Sequence, residues 1–159
     1  MEALQPKTVG SSRSILTQLV FPSDTNMHGT MFGGKVMEYI DKLAAIACMR
    51  HARRPVVTAS SDHLDFIAPI RVGQAIEIEA CVTWTHRSSM EAYAKVYAED
   101  LLTGERTLTV TALLTFVALD ENGKPSPVPA VIPETEEEIQ LHRSAMERYA
   151  MRKKRRSAD

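Results

Sequence analysis

Apolar residues recur at helical spacing along residues 32–53, where Val36, Ile40, Leu43, Ala44 and Ala47 share one face. Met37, Ala45, Ile46, Cys48 and Met49 fill much of the remaining circumference, so the pattern predicts a long helix buried on most sides. From residue 56 to about residue 120 the chain mostly alternates with a period of two. Residues 56–67 form the first such run, closed by Ala68-Pro69 and Gly73. Ile76, Ile78, Ala80, Val82 and Trp84 then interleave with Glu77, Glu79, Cys81, Thr83 and Thr85, the mark of a half-buried strand. Within residues 90–99, Ala92, Ala94, Val96 and Ala98 fall on one face, and Thr103-Gly104-Glu105 reads as a hairpin turn. Leu108, Val110, Ala112, Leu114 and Phe116 mark a further strand, which ends at Asp120-Glu121-Asn122-Gly123. Upstream, residues 14–21 read as a strand stopped by Pro22.

One apolar helix followed by a run of antiparallel strands is an α+β layout, with the sheet wrapped on a central helix. Such a sheet has unpaired edges, which oligomerisation would cover. Residues 1–12 are polar and read as a mobile leader, and residues 13–123 as the single packed domain. Four prolines between residues 124 and 133 predict an extended linker. Residues 134–154 then read as a charged helix whose contacts would come from Ile139, Leu141, Met146 and Tyr149, so that 124–159 form a linker and helical tail.

Charge narrows the function classes. The formal net charge of −1 gives no overall pull toward nucleic acid or a membrane surface. The basic cluster Arg152, Lys153, Lys154, Arg155 and Arg156 is local; it reads as a solvated tail, with attraction of phosphates as the alternative. Cys48 and Cys81 lie far apart and read as reduced, buried thiols. No secretory leader and no membrane-spanning run are evident, so a cytoplasmic location is expected.

The chain lacks GxSxG, the phosphate loop of nucleotide hydrolases and GxGxxG. Its five histidines show no HxxxH or HExxH spacing, so no metal site and no cofactor are expected, and His63 reads as a hydrogen-bonded structural residue. The informative stretch is DTNMHGTMFGGKVMEYID, residues 24–41. Gly33 and Gly34 at a helix start leave backbone N–H groups uncovered at the positive end of the helix dipole. Two readings stand: an oxyanion hole for a polarised carbonyl, or a tight turn that needs glycine for close packing. Asp41, an acid among apolar neighbours, is either ion-paired or placed for reaction. Seven residues separate it from Gly34, about 10 Å along a helix axis at ~1.5 Å per residue. One carbonyl cannot touch both within one helix; if they cooperate, a second copy must supply one of them.

Asn26, Gly29, Phe32, Gly33, Gly34, Met37 and Asp41, written N-x-x-G-x-x-F-G-G-x-x-M-x-x-x-D, resemble the hotdog acyl-CoA thioesterases of the bacterial YciA-like and mammalian brain acyl-CoA hydrolase group. VVTASSDHLDFIAPIRVG and WTHRSSMEAY continue the resemblance, which covers about residues 13–120. It implies a hotdog fold, a dimer with a continuous sheet, often a trimer of such dimers, and hydrolysis of acyl-CoA to fatty acid and CoA. It implies an active site at the dimer interface, with Asn26 and the Gly33–Gly34 amides from one subunit and Asp41, acting as base or nucleophile, from the other. Thr58 would join that site. CoA would be part of substrate and product, not a cofactor. Arg87, Ser88 and Ser89 fall in the region that lies near bound CoA in the family, where guanidinium and hydroxyl groups suit phosphate; a plain polar hairpin is the other reading. A hotdog dehydratase or hydratase, for which His28 is the local candidate, and a non-catalytic acyl-CoA sensor are the rival functions.

Overall fold

The computed structural model describes residues 3–158. Five long elements form one antiparallel sheet: β2 (Ser14–Leu19), β3 (Val56–Phe66), β4 (Ala75–His86), β5 (Ser89–Glu99) and β6 (Arg106–Ala118), in the order β2-β4-β5-β6-β3. Helix α1 (Gly33–Ala52) crosses one face and helix α2 (Glu136–Ser157) packs on the other. Two short strands, β1 (Lys7–Thr8) and β7 (Val131–Ile132), pair in parallel beside them.

The expected helix is present, bounded by the uncapped Phe32 and by Arg53 in the left-handed conformation. Val36, Ile40, Leu43, Ala44, Ala47 and Cys48 pack on Ile76, Ile78, Ala80, Val82, Met90, Ala92, Ala94 and Val96 of the central strands. Burial on most sides is not what one chain achieves: Met37, Ile46 and Met49 stay 44%, 38% and 42% exposed. A single sheet covers a single helix face, so the other apolar face needs a cover from outside the protomer. The edge strand β3 continues that exposure through Val57 and Phe66.

Three local expectations are corrected. Trp84 does not share a face with Val82: the β4–β5 register slips between them, as at a bulge, and Trp84 lies near the rings of His86 and of Tyr149 on α2. The leader is ordered from Lys7 onward, because β1 pairs with β7 and the following 3-10 turn buries Val9 and Ser12; Met1 and Glu2 lie outside the described residues. The proline-rich stretch is a strap, not a free linker. Ser126 N–H donates to Ala118 O, Val128 N–H to Arg87 O, and His51 Nε2 to Pro129 O at 2.8 Å.

Helix α2 also contradicts its hydropathy. Its buried positions are Glu138, Ala145 and Arg152, seven residues apart, while Met146 is 56% exposed. Arg148 forks onto Glu91, Arg152 bridges Glu91 and Asp62 at 3.1 and 2.8 Å, and Arg155 reaches Asp62. With side chains of Asp62 and Glu91 only 5% and 0% exposed, this network fixes the helix to the sheet where apolar contacts would usually do so. The basic cluster is therefore not wholly a solvated tail.

Candidate active site

The approach to α1 is built by short polar hydrogen bonds. Phe21 N–H donates to Asp24 Oδ2, closing a 3-10 turn at Pro22–Asp24, and Phe32 N–H donates to Asp24 O. Asn26 Oδ1 accepts from His28 N at 2.9 Å and Thr30 N at 3.3 Å, an Asx-type turn that folds residues 26–30 back on themselves. Gly29, at φ 75°, completes that turn in a region other residues enter at a cost. Asn26 Nδ2 donates to Thr30 Oγ1 at 2.9 Å, and its second hydrogen remains for another acceptor. His28 is exposed, and among the described residues only its backbone is bonded.

Helix α1 starts at the glycine pair. Among the described residues no acceptor engages the N–H of Gly33 or Gly34, the orphan donors of a helix start. The two glycines differ in their surroundings. A Cβ on Gly33 would sit 3.2 Å from the Phe66 ring, so close packing is part of its role; one on Gly34 would meet nothing within 4 Å. Gly34 thus leaves open space over the positive end of the helix.

Two turns along, Asp41 lies under strand β3. Thr58 Oγ1 donates to Asp41 Oδ1 at 2.7 Å. Thr58, Ser61 and Leu64 all face α1, three residues apart rather than two, because the β3–β6 register shifts between Thr58 and Ser60 and again between Ser61 and His63. The pair stands at a pocket of about 330 Å³ between helix and strand, lined also by Met37, Ile40, Ser61 and Leu64. A hollow with mostly apolar walls, whose polar groups are the Asp41 and Glu38 carboxylates and the Thr58 and Ser61 hydroxyls, suits an apolar chain that ends in a reactive polar group.

The remaining expected site residues lie elsewhere. Arg87 and Ser88 form the two-residue turn between β4 and β5, with Arg87 at φ 34°, an uncommon backbone for a side-chain-bearing residue. With Ser89 they line a cleft of about 780 Å³ between the hairpin and α2. Within one protomer, then, the structure brings Thr58 to Asp41 and Arg87 to Ser88 and Ser89. It leaves the glycine amides about 10 Å from Asp41 along the helix. Sequence reasoning missed that α2 closes the cleft, since Arg152, Lys153 and Arg156 line it too. The available signal was Asp62 and Glu91, two acids on strands, together with the basic cluster near the end of the chain. No helix is long and apolar enough to cross a membrane, and no group of three potential metal ligands gathers, among the described residues.

Residues 28–105 match the model of the thioesterase superfamily. The chain is 53% identical over 156 residues to an uncharacterised acyl-CoA thioester hydrolase of Bacillus subtilis, covering 98% of this chain and 91% of that one. It spans 40% of the length of the mouse cytosolic acyl coenzyme A thioester hydrolase, at 38% identity. Its fold superposes on that of an apo-hexameric acyl-CoA thioesterase with a TM-score of 0.93 at 53% identity, over 98% of this chain and 100% of the other. It is also similar to the Staphylococcus aureus acyl-CoA hydrolase solved with butyryl coenzyme A and coenzyme A: TM-score 0.90, 42% identity, 96% of this chain and 94% of that one. Alanine variants of the S. aureus enzyme have been solved at an asparagine, an aspartate and a threonine whose successive separations are 15 and 17 positions. Asn26, Asp41 and Thr58 are separated by the same two intervals.

Proposed function

The chain belongs to the acyl-CoA thioester hydrolases of the thioesterase superfamily, and we propose that it cleaves acyl-CoA at a site assembled from two subunits, with Asp41 as the base. The observation that carries this reading is the Asp41–Thr58 hydrogen bond at the apolar pocket. Thr58 occupies Oδ1 of the carboxylate, which fixes its plane and leaves Oδ2 to receive a proton. The Gly34 amide of the other subunit, with Gly33, polarises the thioester carbonyl, and Asn26 positions carbonyl or water.

The chemistry balances with these groups alone. Water adds to the carbonyl carbon as Asp41 takes its proton, and the oxyanion that forms is held by the glycine amides. Collapse breaks the C–S bond, and the proton passes from Asp41 to the departing thiolate. The products are a free acid and CoA. A thiolate leaves easily, so neither a nucleophilic serine nor a metal is required. Arg87, Ser88 and Ser89 hold the CoA end of the substrate.

The uncovered face of α1 and the free edge of β3 support a homo-oligomer, and the hexameric relative supports a trimer of dimers. A cytoplasmic location is supported by the two free, buried cysteines and by the cytosolic mammalian relative. The test is a panel of acyl-CoAs from acetyl to palmitoyl with detection of released thiol. Turnover of at least one member, abolished by Asp41→Asn, is the expected result; no thiol release from any member overturns the proposal. Single turnover in heavy-oxygen water separates base from nucleophile: a base delivers the label to the released acid, whereas direct attack followed by hydrolysis of the anhydride at its aspartyl carbonyl leaves it in Asp41.

A further inference from the structure

The cleft behind the β4–β5 hairpin has a wall that the active-site reading does not use. Helix α2 carries six cations between Arg148 and Arg156, and all but Lys154 fall into two sets. Arg148, Arg152 and Arg155 are bound to Glu91 and Asp62. Lys153 and Arg156 form no hydrogen bond or ion pair among the described residues, yet both line the cleft. Across from them Arg87 is likewise without an acidic partner, and no aspartate or glutamate lines the space. The first set anchors the helix, and the second is presented at a fixed place as the result.

Cations in a last helical turn offset the helix dipole, which would account for some of them without any ligand. That account does not explain the rest of the wall. His86 and Tyr149 line the same cleft with ring centroids 4.4 Å apart, and Trp84 backs both at 5.8 and 5.5 Å. Ser88, Thr115 and Ser157 also line it, with the Thr115 hydroxyl donated to Asp62 and the Ser157 hydroxyl to Lys154 O, and Arg87 holds its positive φ at the rim. Three unneutralised cations beside a cluster of aromatic rings fit a phosphorylated nucleotide. Ala59 lines this cleft on the outer face of the sheet, and its neighbour Thr58 lines the Asp41 pocket on the inner face. An arm that passed the Thr58 end of β3 would connect the two.

We infer that Lys153, Arg156 and Tyr149 of helix α2 bind the 3′,5′-ADP half of CoA, with Lys153 and Arg156 on its phosphates. The inference rests on the acyl-CoA reading above for the identity of the nucleotide. It makes the C-terminal helix part of the substrate site.

The experiment compares the full-length oligomer with the double variant K153A/R156A, which leaves Arg148, Arg152 and Arg155 in place to hold the helix. Calorimetric titration with 3′,5′-ADP should show binding about tenfold or more weaker in the variant, while the charge-preserving Lys153→Arg/Arg156→Lys protein stays within about threefold of wild type. In parallel, the ratio of kcat/KM for an acyl-CoA to that for the matching acyl-pantetheine, which lacks the nucleotide, should fall by about the same factor. Equal 3′,5′-ADP affinity in wild type and the alanine variant, or an unchanged ratio, overturns the inference. So does absence of 3′,5′-ADP binding to wild type. If wild type hydrolysed no acyl-CoA yet bound 3′,5′-ADP through Lys153 and Arg156, the cleft assignment would stand and the proposed hydrolysis would fall.

Discussion

Thr58 and Asp41, on different elements and 17 residues apart, are joined by a 2.7 Å hydrogen bond from Thr58 Oγ1 to Asp41 Oδ1. The bond exists because the β3–β6 register slips between Thr58 and Ser60, which lets Thr58 face α1 beside Ser61 and Leu64. It gives the carboxylate one fixed orientation over an apolar pocket. A base held in one plane loses less freedom at the moment of proton transfer than one free to rotate.

Asp41→Asn keeps the shape of the side chain and an oxygen for Thr58 to bond, but it removes the proton acceptor. A fall in kcat of about 10²–10⁴ is expected. Thermal unfolding and oligomer size should match wild type. Hydrolysis of the preferred acyl-CoA at near wild-type rate would show that Asp41 is not the base.

Thr58→Ala leaves the carboxylate in place and unoriented, so the loss should be smaller, about tenfold to a hundredfold, and should fall on kcat more than on KM. Thr58→Ser restores the donor and should recover most of the rate. Equal losses in the alanine and serine proteins would point to packing by the threonine methyl instead.

The helix and the alternating strands were legible because each repeats a period long enough to register: α1 was expected at 32–53 and runs Gly33–Ala52. The glycine pair and Asp41 stood out as local exceptions to that pattern. Thr58 could be placed only through the resemblance, since a bulge changes the phase of a strand without a mark in its composition. Trp84 was assigned to the wrong face for the same reason. The buried stripe of α2 was missed because Glu138 and Arg152 are polar, and their burial depends on Thr135 and on Asp62 and Glu91, far off in sequence. Strands β1 and β7 are two residues each, too short for any period to appear.

The clamp on α2 makes a stability prediction. Arg152→Met leaves Asp62 and Glu91 buried with one cation fewer, a type of change that typically costs about 3–5 kcal/mol, and the lower end is expected because Arg155 and Arg148 remain on the two acids. Denaturant midpoints of Arg152→Met, Glu91→Gln and the double variant form a cycle. The double variant should lose less than the sum of the singles. Strict additivity would mean that Arg152 and Glu91 do not share an interaction.

His51 gives a pH dependence. Its Nε2–H donates to Pro129 O, and Nδ1 has no partner among the described residues, so the folded protein holds the neutral ring. Burial pushes its pKa below the usual histidine value; the Pro129 bond opposes this, and Lys7 adds to the lowering. The unfolded chain takes up a proton at about pH 6.5, before the folded one does. Stability from this group is therefore complete above that pH and is lost as pH falls toward the lower folded value. His51→Gln, which can still donate to Pro129, should show a flatter decline in stability between about pH 8 and pH 5. An identical decline in both proteins would remove His51 as the cause.

The sharpest test concerns the division of the site between subunits. Gly34 and Asp41 stand about 10 Å apart along one helix, and the Thr58 bond ties Asp41 to its own protomer. Asn26 shapes the loop that delivers the glycine amides, so it belongs with them. Asn26→Ala and Asp41→Asn proteins, each nearly inactive alone, are to be unfolded together and refolded as an equal mixture. A mixed dimer has one site with both lesions and one with neither. Random pairing makes half of the dimers mixed, so about a quarter of all sites should be intact, given free exchange and independent sites. Activity should rise toward that fraction of wild type. Mixed dimers verified by mass spectrometry and no more active than the parents would place both residues in one subunit's site, and the shared-site mechanism would fail with them.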